Sequence, residues 1–309
     1  MIRLDAITLK QLRALRAISE TGSMTAAAEQ LGLTPPAIHS QIKNLEAAFA
    51  LPLLHRRADS AGSGLTAEGA AVLDATLRID VVMAQCAEQV AALSQGKTGQ
   101  VTLGVVSTAK YFAPRLVRML NEIWPDVKIT LRVGNREGII EDLQRHSVDL
   151  AIMGRPPRTP EVIATPLGAH PHGLVAPPDH PLVGRTSIAG AELLAETFLA
   201  REDGSGTRIL MNRYLSRLNG EQTPTLVVMN SNETIKQAAI AGLGIAFLSL
   251  HTVMEELRHG TLVPLAGPGL PIERHWFLVH PADAQPGPAA ERLQREIIAM
   301  SGIYLPGRA

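Results

Sequence analysis

Three side chains that can donate hydrogen bonds, His39, Ser40 and Lys43, recur at helical spacing in the segment LTPPAIHSQIKNLEAAF, residues 33–49. With Pro36, they fall on one face of a predicted helix. The opposite face is apolar and carries Ile38, Ile42, Leu45 and Phe49. The polar groups can meet phosphate oxygens and base edges, with Lys43 suited to guanine or phosphate and Ser40 to either. The chemistry that these residues favour is recognition of DNA.

Two prolines, Pro35 and Pro36, mark the start of this helix. Proline suits the first helical turn because its missing N–H has no intrahelical partner there and its φ already matches the helix. Thr34 is the predicted N-cap, and because Pro36 has no N–H, the Thr34 hydroxyl should accept from the amide of Ala37. Residues before proline avoid the α region, so the sequence leaves open whether Pro35 lies inside the helix.

The segment upstream, SMTAAAEQLGL, predicts a shorter helix in which Ser23 is the cap and Gly32 the end. A helix, a tight turn with glycine and a second amphipathic helix form a helix-turn-helix, whose second helix enters the DNA major groove. The alternative is an ordinary αα-hairpin in a helical core. The predicted DNA-contacting residues are Ser23, Thr25, Thr34, Pro35, Pro36, His39, Ser40, Lys43, Arg56 and Arg57.

The next segment, LPLLHRRADSAGSGLT, predicts a two-stranded wing with a flexible tip near residues 61–64. Arg56 and Arg57 would reach phosphate or the minor groove, although a solvated surface pair is an equal alternative for Arg57. Residues 1–66 hold seven Lys or Arg and five Asp or Glu, a net charge of +2 in a chain whose net charge is zero. Since phosphate neutralisation dominates DNA affinity, so few cations favour binding by two or more copies.

A second group of polar residues follows the predicted strand VTLGVVST, which ends in Ser107 and Thr108. Hydroxyl and N–H groups at a helix start attract anions, and Thr207 occupies a similar place after the glycine-rich GSG. The expected ligand is a small anion, specifically a phosphorylated metabolite. Alternatively, several nearby cations pair with surface glutamates such as Glu202 and Glu233. The predicted effector-binding residues are Ser107, Thr108, Lys110, Asn135, Arg136, Arg155, Arg201, Thr207, Arg208 and Asn232.

Between residues 66 and 93 the chain has no proline, and a set of mostly apolar residues steps alternately by four and three. The set is Val72, Thr76, Ile79, Met83, Cys86, Val90 and Leu93. This heptad pattern predicts a long helix that pairs with another helix. Cys86 lies in the seam and is interpreted as a small packed residue, not as a nucleophile. The segment QGKTG at 95–99 predicts a hinge.

Strands and helices alternate over the rest of the chain. A βαβαβ order from VTLGVVST to VDLAIMG is followed by a second α/β set that begins near HGLVAPP. This set includes the helix GTRILMNRYLSRL, the strand TLVVMN, the helix NETIKQAAIAGLG and the strand IAFLSL, and the strand WFLVH and the helix AAERLQREIIAM close the chain. Two α/β subdomains are therefore implied. Ligand is expected at the carboxyl ends of strands and in the cleft between the subdomains. The predicted domains are a DNA-binding domain at 1–65, a linker or dimerisation helix at 66–95, and an effector-binding domain at 96–309, with subdomain I at about 100–168 and 269–303 and subdomain II at about 169–268.

Composition limits the class of protein. A chain of 309 residues with 46% hydrophobic residues suits about two globular domains. Arg3, Asp5 and Lys10 precede any apolar run, which argues against a secretory signal, and the uncharged stretch AAIAGLGIAFLSL is too short to span a bilayer. The single cysteine cannot form an intramolecular disulfide. The expected location is the cytoplasm.

Signals for catalysis are weak. The AGLGIAF segment offers only G-x-G without a preceding strand, so it lacks a dinucleotide fingerprint, and the sequence contains no P-loop, HExxH or closely spaced Cys/His metal set. The ten histidines are scattered, and HPHG at 170–173 is interpreted as a surface turn. We therefore expect no catalytic residue, no metal ion and no cofactor apart from the small-molecule effector. The rivals from another class are an enzyme, a small-molecule-binding protein and a periplasmic solute-binding protein.

The segment TLKQLRALRAISETGSMTAAAEQLGLTPPAIHSQIKNLEAAF, followed by LHR and LTAEG and, in the C-terminal half, by AGLGIAFLS, resembles the LysR-type transcriptional regulators. The resemblance implies an α plus α/β fold: a winged helix-turn-helix, a dimerising linker helix and a two-subdomain effector domain resembling periplasmic binding proteins. It also implies a homodimer or homotetramer. Two-fold symmetry then predicts an interrupted palindromic site on double-stranded DNA, and RNA polymerase is a candidate further partner.

More narrowly, STAKYFAPRLV, VGNREGI, MGRPP and REDGSGTR resemble the branch that controls Calvin-cycle carbon-fixation genes. That resemblance implies anionic effectors such as ribulose bisphosphate, phosphoenolpyruvate or NADPH. A LysR-type regulator of another metabolic pathway is the alternative. The chain departs from the family at Leu54, where phenylalanine is frequent, and just before Leu65, where glycine and serine replace basic residues.

Overall fold

The computed structural model describes residues 2–55, 64–95, 99–218 and 223–307. Contacts divide the chain into two compact units, Met1–Cys86 and Ala87–Ala309. Within the described residues, no helix is both long enough and apolar enough to cross a membrane.

Helices build the first unit. They are α1 (Leu9–Thr21), α2 (Met24–Leu31), α3 (Pro35–Phe49) and α4 (Ala67–Gln95), and a short 3-10 helix (Leu4–Ala6) precedes them. The last helix, α4, continues past the end of this unit. Leu15 and Ile18 of α1 are fully buried in one core with Ile38 and Leu45 of α3. The apolar face predicted for α3 is therefore the face that packs.

Local caps fix the ends of α2. The Ser23 hydroxyl accepts a hydrogen bond from the Ala26 amide at 3.2 Å, which satisfies one of the free amides of the first turn. Gly32 ends the helix with φ of 64°, a left-handed conformation that glycine adopts without strain. Both predictions for this helix, the serine cap and the glycine end, are confirmed.

The start of α3 differs from the prediction in one bond. The helix begins at Pro35, so both prolines lie in its first turn. The predicted cap by the Thr34 hydroxyl is wrong: the Thr34 carbonyl oxygen accepts from the amides of Ala37 and Ile38, at 2.9 and 3.1 Å. The two prolines donate nothing, so the first available amide bonds backward to this carbonyl instead of to the side chain.

The base of the predicted wing is present. Leu54 and Leu65 form an antiparallel bridge, and the His55 amide donates to the Gly64 carbonyl at 2.8 Å. Arg56, Arg57 and the predicted tip at 61–63 lie outside the described residues.

Ten strands occur in the described part of the second unit. They are β1 (Gly99–Val106), β2 (Val127–Gly134), β3 (Leu150–Met153), β4 (Val162–Ala169), β5 (His172–Ala176), β6 (Thr197–Arg201), β7 (Thr225–Met229), β8 (Ile245–Ser249), β9 (Val263–Pro264) and β10 (His275–Pro281). They form two five-stranded sheets, with the orders β2-β1-β3-β10-β4 and β7-β6-β8-β5-β9. In each sheet three strands run parallel, and antiparallel partners complete the rest.

Helices cover these sheets. They are α5 (Ala113–Ile123), α6 (Arg136–Gln144), α7 (Gly190–Leu194), α8 (Gly206–Leu215), α9 (Asn232–Ile240), α10 (Met254–His259) and α11 (Pro288–Ala299), with a 3-10 helix at Ala109–Tyr111. Each sheet has its own buried core, one around Phe112 and Trp276 and the other around Phe198 and Phe247. The predicted fold class, helix-turn-helix followed by two α/β subdomains, is confirmed. The structure adds β4, β6, β9, α7 and α10 to the predicted elements.

The chain crosses between the two sheets after β4 and again before β10. The two crossing segments pair with each other: the His172 amide donates to the Ile272 carbonyl at 3.0 Å, and the Ile272 amide donates back at 2.8 Å. The His170 amide also donates to the Arg274 carbonyl at 2.6 Å. We call residues 170–172 and 272–274 the crossover ladder. It brings two histidines and an arginine, distant in sequence, to one place between the sheets.

Candidate functional site

The first candidate surface is the outer face of α3. Pro36, His39, Ser40 and Lys43 are all exposed there, whereas Ile38 on the other face is fully buried. Because the apolar face is fixed in the core, the four side chains are held together on the surface of the first unit. An exposed helix face with these donors is the geometry that DNA recognition in the major groove requires.

The other predicted DNA-contacting residues of the described chain lie near the starts of α2 and α3. Thr25, Thr34 and Pro35 are exposed. Ser23 is half-buried, and its hydroxyl is occupied as the cap of α2. Such helix starts carry free amides that can meet phosphate oxygens, and by capping α2 Ser23 holds that helix start in place.

The second candidate site is a cleft of about 390 Å³ in the second unit. The carboxyl ends of β1 and β3, the start of α8 and the crossover ladder form its walls. The lining residues are Val106, Ser107, Thr108, Arg136, Met153, Gly154, Arg155, Pro156, Arg158, His170, His172, Ser205, Gly206, Thr207, Ile209, Leu210, Arg213 and Arg274. Strand ends and a helix start converge here, as expected for a ligand site between α/β subdomains.

Five arginines line this cleft: Arg136, Arg155, Arg158, Arg213 and Arg274, and among the described residues no acidic side chain joins them. Repulsion by Arg213, together with burial and repulsion by Arg274 and Arg158, lowers the pKa of Arg155. Burial, then repulsion by Arg155 and Arg213, lowers the pKa of Arg136. An anion between these guanidinium groups would relieve that repulsion, and the number of arginines suits a ligand with more than one negative charge.

The start of α8 adds neutral donors to the cleft. Ser205 is the N-cap residue, and Gly206 and Thr207 form the first turn of this ten-residue helix. The first amides of a helix have no intrahelical partner and carry partial positive charge, so they favour an anion. Ser107 and Thr108 approach from the end of β1. Hydroxyls, amides and guanidinium groups are the donor set that binds phosphate and carboxylate groups.

The structure brings five of the ten predicted effector-binding residues into this lining: Ser107, Thr108, Arg136, Arg155 and Thr207. The other five, Lys110, Asn135, Arg201, Arg208 and Asn232, lie outside the lining. Each of those five has a partner in the protein.

Arg201 is buried and joins the walls of the cleft instead of facing it. Its guanidinium donates to Ser107 Oγ at 3.0 Å and to Asn232 Oδ1 at 2.5 Å, and it pairs with Glu202 at 2.7 Å. Arg208 in turn donates to the Arg201 carbonyl at 3.3 Å. Sequence proximity to a strand end placed these residues near the ligand, but burial required them to pair with protein groups.

Lys110 and Asn135 are occupied by local partners. Lys110 Nζ lies 2.5 Å from Glu233 Oε2, the pairing with a surface glutamate that the sequence left open as the alternative. The Asn135 side chain accepts from the Gly138 amide at 2.9 Å and thereby caps α6.

Sequence reasoning missed several cleft residues. Arg158, Arg213 and Arg274 lie in three separate segments, and neither spacing nor composition links them. Arg213 carries a local signal, because it lies seven residues, about two helical turns, after Gly206 on α8, the helix whose start is predicted to bind an anion.

The HPHG segment is not a surface turn, so that interpretation is wrong. His170 and His172 are only 3% and 4% exposed. Their two rings contact each other at an angle of 50°, and the His170 ring stacks on that of Trp276, with His251 close by. The segment lies in the crossover ladder, where both sheets cover it, and this is why a proline-containing polar stretch is buried.

Comparisons with known proteins follow the same division. Residues 9–70 match the family model "Bacterial regulatory helix-turn-helix protein, lysR family", and residues 94–300 match "LysR substrate binding domain". The chain is 63% identical over 307 residues to "HTH-type transcriptional regulator CbbR" of Cereibacter sphaeroides, with 99% of each chain covered. It is 37% identical to "RuBisCO operon transcriptional regulator" of Allochromatium vinosum, with 95% of this chain and 96% of that protein covered.

A solved structure resembles the second unit. "Structure of Synechocystis PCC6803 CcmR regulatory domain in complex with 2-PG" has a TM-score of 0.63 and 32% identity, and the match covers 67% of this chain and 99% of that one. The names of these relatives describe transcriptional regulators, not enzymes.

Proposed function

We propose a function from the premise that the chain belongs to the LysR family of bacterial transcriptional regulators, which bind DNA and act as oligomers. The protein binds an operator through α3 and controls carbon-fixation genes in response to a small, multiply charged anion held in the cleft. The observation that carries the effector class is the cleft itself, where five arginines and the start of α8 meet without a described acidic side chain.

Carbon fixation as the regulated pathway rests on the relatives. One relative is named for the RuBisCO operon, and it matches this chain over 95% of its length. The CcmR regulatory domain was solved with 2-PG, and it is similar over the region that forms the cleft. A LysR-type regulator of another pathway is the second candidate, and the identity of the bound anion separates the two.

The DNA contacts proposed are those of the exposed α3 face, with Lys43 on phosphate or guanine. The proposed wing contacts, Arg56 and Arg57, supply further cations. A homodimer, or a homotetramer, places two recognition helices on successive major grooves, so the proposed site is an interrupted palindrome. We place this activity in the cytoplasm, with RNA polymerase as a further partner.

Calorimetric titration of the full-length protein with anions tests the effector. The panel is 2-PG, ribulose bisphosphate, phosphoenolpyruvate and NADPH, with neutral and aromatic metabolites as comparison. At least one phosphorylated compound should bind, and Arg155→Ala should weaken that binding by at least tenfold because it removes a charge from the cleft. Arg118→Ala, on the exposed face of α5 and paired within that helix to Glu122, is the matched control.

The outcome that contradicts the proposal is binding restricted to neutral or aromatic compounds. Binding of the anion that is equally weakened by Arg118→Ala and by Arg155→Ala would also remove the cleft as the site. Footprinting on the DNA that flanks the gene, with and without the bound anion, then shows the operator and whether the anion changes occupancy.

A further inference from the structure

Three histidines from two segments form a cluster with Trp276 beside the cleft. The rings of His170 and Trp276 are nearly parallel, with centroids 3.6 Å apart and an angle of 13°. The His172 ring lies 4.2 Å from that of His170, and the His251 ring lies 6.0 Å from it. All three histidines are at most 5% exposed. Of the three, His170 and His172 line the cleft.

The hydrogen position is fixed on two of these rings. Trp276 Nε1 can only donate, and it lies 3.1 Å from His251 Nδ1, so His251 carries its hydrogen on Nε2. His172 Nδ1 lies 3.1 Å from the His170 carbonyl oxygen, which can only accept. His172 therefore carries its hydrogen on Nδ1.

His170 differs because its partner permits both tautomers. Its Nε2 lies 3.0 Å from the hydroxyl oxygen of Ser249, and a hydroxyl can donate or accept. Its Nδ1 is buried and has no hydrogen-bond partner among the described residues. A buried ring nitrogen without a partner costs free energy, so a ligand that supplies the missing bond would be favoured there.

The unpartnered nitrogen lies at the end of β3. A Cβ atom built on Gly154 would come within 2.8 Å of His170 Nδ1, so the absence of a side chain at this glycine lets the ring edge reach the cleft wall. Gly154 and His170 both line the cleft, and Arg155 is the next residue. A ligand oxygen bound at this wall of the cleft would lie next to the histidine.

We infer that His170 selects the ligand of the cleft: its Nδ1–H donates to an anionic oxygen of the ligand, and the Ser249 hydroxyl donates into Nε2 to hold that tautomer. The inference rests on the proposed function, because it requires an anion in the cleft. An anionic oxygen only accepts, so Nδ1 must carry the hydrogen and Nε2 must accept from Ser249. A ligand that placed a hydroxyl donor at this point would require the opposite tautomer.

The neutral state of His170 makes this selection possible. Burial, followed by the nearby His172, His251 and Arg274, lowers the pKa of His170 well below its ordinary value. The ring therefore carries one hydrogen at neutral pH, and its position depends on which of the two ring nitrogens receives a donor.

Two substitutions at this position separate ligand contact from packing. In His170→Asn the amide reaches the place of Nδ1, whereas in His170→Gln it reaches the place of Nε2 and keeps the contact with Ser249. For the phosphorylated anion that binds the wild type in calorimetry of the full-length protein, His170→Gln should lose about tenfold in affinity and His170→Asn no more than about threefold. Equal losses in the two variants would indicate packing alone and overturn the inference.

A measurement on the wild-type protein does not depend on how well variants fold. With ¹⁵N-labelled histidine, the His170 signals in the complex with the bound anion should show Nδ1 protonated and Nε2 unprotonated. The opposite tautomer, or a doubly protonated ring, overturns the inference while leaving the proposed function intact. If none of 2-PG, ribulose bisphosphate, phosphoenolpyruvate, NADPH and inorganic phosphate binds the wild type, both the inference and the proposed effector class fail.

Discussion

At the scale of single residues, Lys43 is the only lysine or arginine of α3, and its side chain is exposed beside Ser40 and His39. The His39 and Ser40 side chains of the same face can make hydrogen bonds, and Lys43 adds a full positive charge. Because charge neutralisation dominates DNA affinity, Lys43 should contribute more to binding than the rest of that face.

We expect Lys43→Ala to weaken operator binding by roughly 1–3 kcal/mol if the ammonium reads a base, with a smaller and sequence-independent loss if it contacts phosphate. Gel retardation at several salt concentrations measures both the affinity and its salt dependence. Lys128→Ala removes the same charge from β2 of the second unit and is the control. Operator binding that is identical in Lys43→Ala and the wild type would exclude Lys43 from the interface.

The buried histidines predict how stability depends on pH. Burial is the main cause that lowers the pKa of both His172 and His251 from an ordinary 6.5 to about 4. Between these values the unfolded chain binds protons that the folded chain does not, so stability is fully present above pH 6.5 and is lost as pH falls toward 4. The loss between pH 7 and 5 should be of order 2 kcal/mol for each histidine.

Urea unfolding at pH 7, 6 and 5, followed by a signal from the second unit, measures this loss. In His251→Phe the dependence on pH should become shallower because one titrating group is gone, although stability at pH 7 also falls with the lost hydrogen bond from Trp276. Thr261→Ala, at an exposed position just after α10, removes no titrating group and should keep the wild-type slope. A slope unchanged in His251→Phe would show that this ring does not titrate in the range.

At the scale of elements, the predicted heptad seam of α4 is buried in its first half and exposed further along. Val72 and Thr76 are 7% and 1% exposed, and Val72 packs against the core of the helix-turn-helix in the same chain. Further along, Met83 is 45% exposed and Val90 is 61% exposed. Cys86 is exposed as well, so its predicted packing is not provided by its own chain. The second half of the helix leaves apolar side chains exposed, and we expect a second copy of the chain to cover them.

Met83→Glu should convert a dimer or tetramer into smaller species, because pairing of the helices would bury the carboxylate in an apolar seam. Analytical ultracentrifugation shows the change, and operator affinity should fall with it. Ala84→Glu places the same charge at the adjacent exposed position, outside the seam, and should sediment like the wild type. Sedimentation of Met83→Glu that matches the wild type would place the dimer interface elsewhere.

At the scale of the whole molecule, hydrogen bonds and an ion pair join the two subdomains on one side of the cleft. The carboxylate of Glu233, at the start of α9, accepts hydrogen bonds from Lys110 Nζ and from the Tyr111 hydroxyl, each at 2.5 Å. Burial alone would raise the pKa of Glu233, but the hydrogen bonds from these two residues outweigh it, so the pKa is lowered. A second tie joins Arg201 to Ser107. Because Ser107 also lines the cleft, we expect ligand binding to be linked to the position of the subdomains.

Glu233→Gln should loosen this side of the cleft without changing its lining. Since Lys110 and Glu233 are partly exposed, the effect should be modest: less than about 1 kcal/mol in anion affinity, together with faster hydrogen exchange near residues 108–112. Glu255→Gln breaks an exposed pair within α10 and is the matched control. Hydrogen exchange near 108–112 that is equal in the two variants would show that Glu233 does not hold the subdomains together.

The sequence by itself determined what local interactions decide. Ser23 and Gly32 bound α2, two prolines begin α3, and the alternation of helices and strands predicts two α/β subdomains, because caps and periodicity act within a few residues. The resemblance to the LysR family could likewise be recognised from the sequence, because continuous segments of the chain carry it. The short strand β6 escaped prediction, since its few apolar residues follow α7 without a turn signal.

Only the tertiary structure decided which distant residues share a site. Arg158, Arg213 and Arg274 meet in the cleft because strand ends and two chain crossings converge there, and no local spacing encodes that meeting. The same convergence buries His170 against Trp276, more than a hundred residues away in sequence, and turns a segment that reads as a surface turn into part of the cleft wall. The fold also removes Arg201 from the cleft lining. A buried guanidinium needs protein partners, and Arg201 pairs with Asn232 and Glu202 although its place at a strand end suggested a ligand contact.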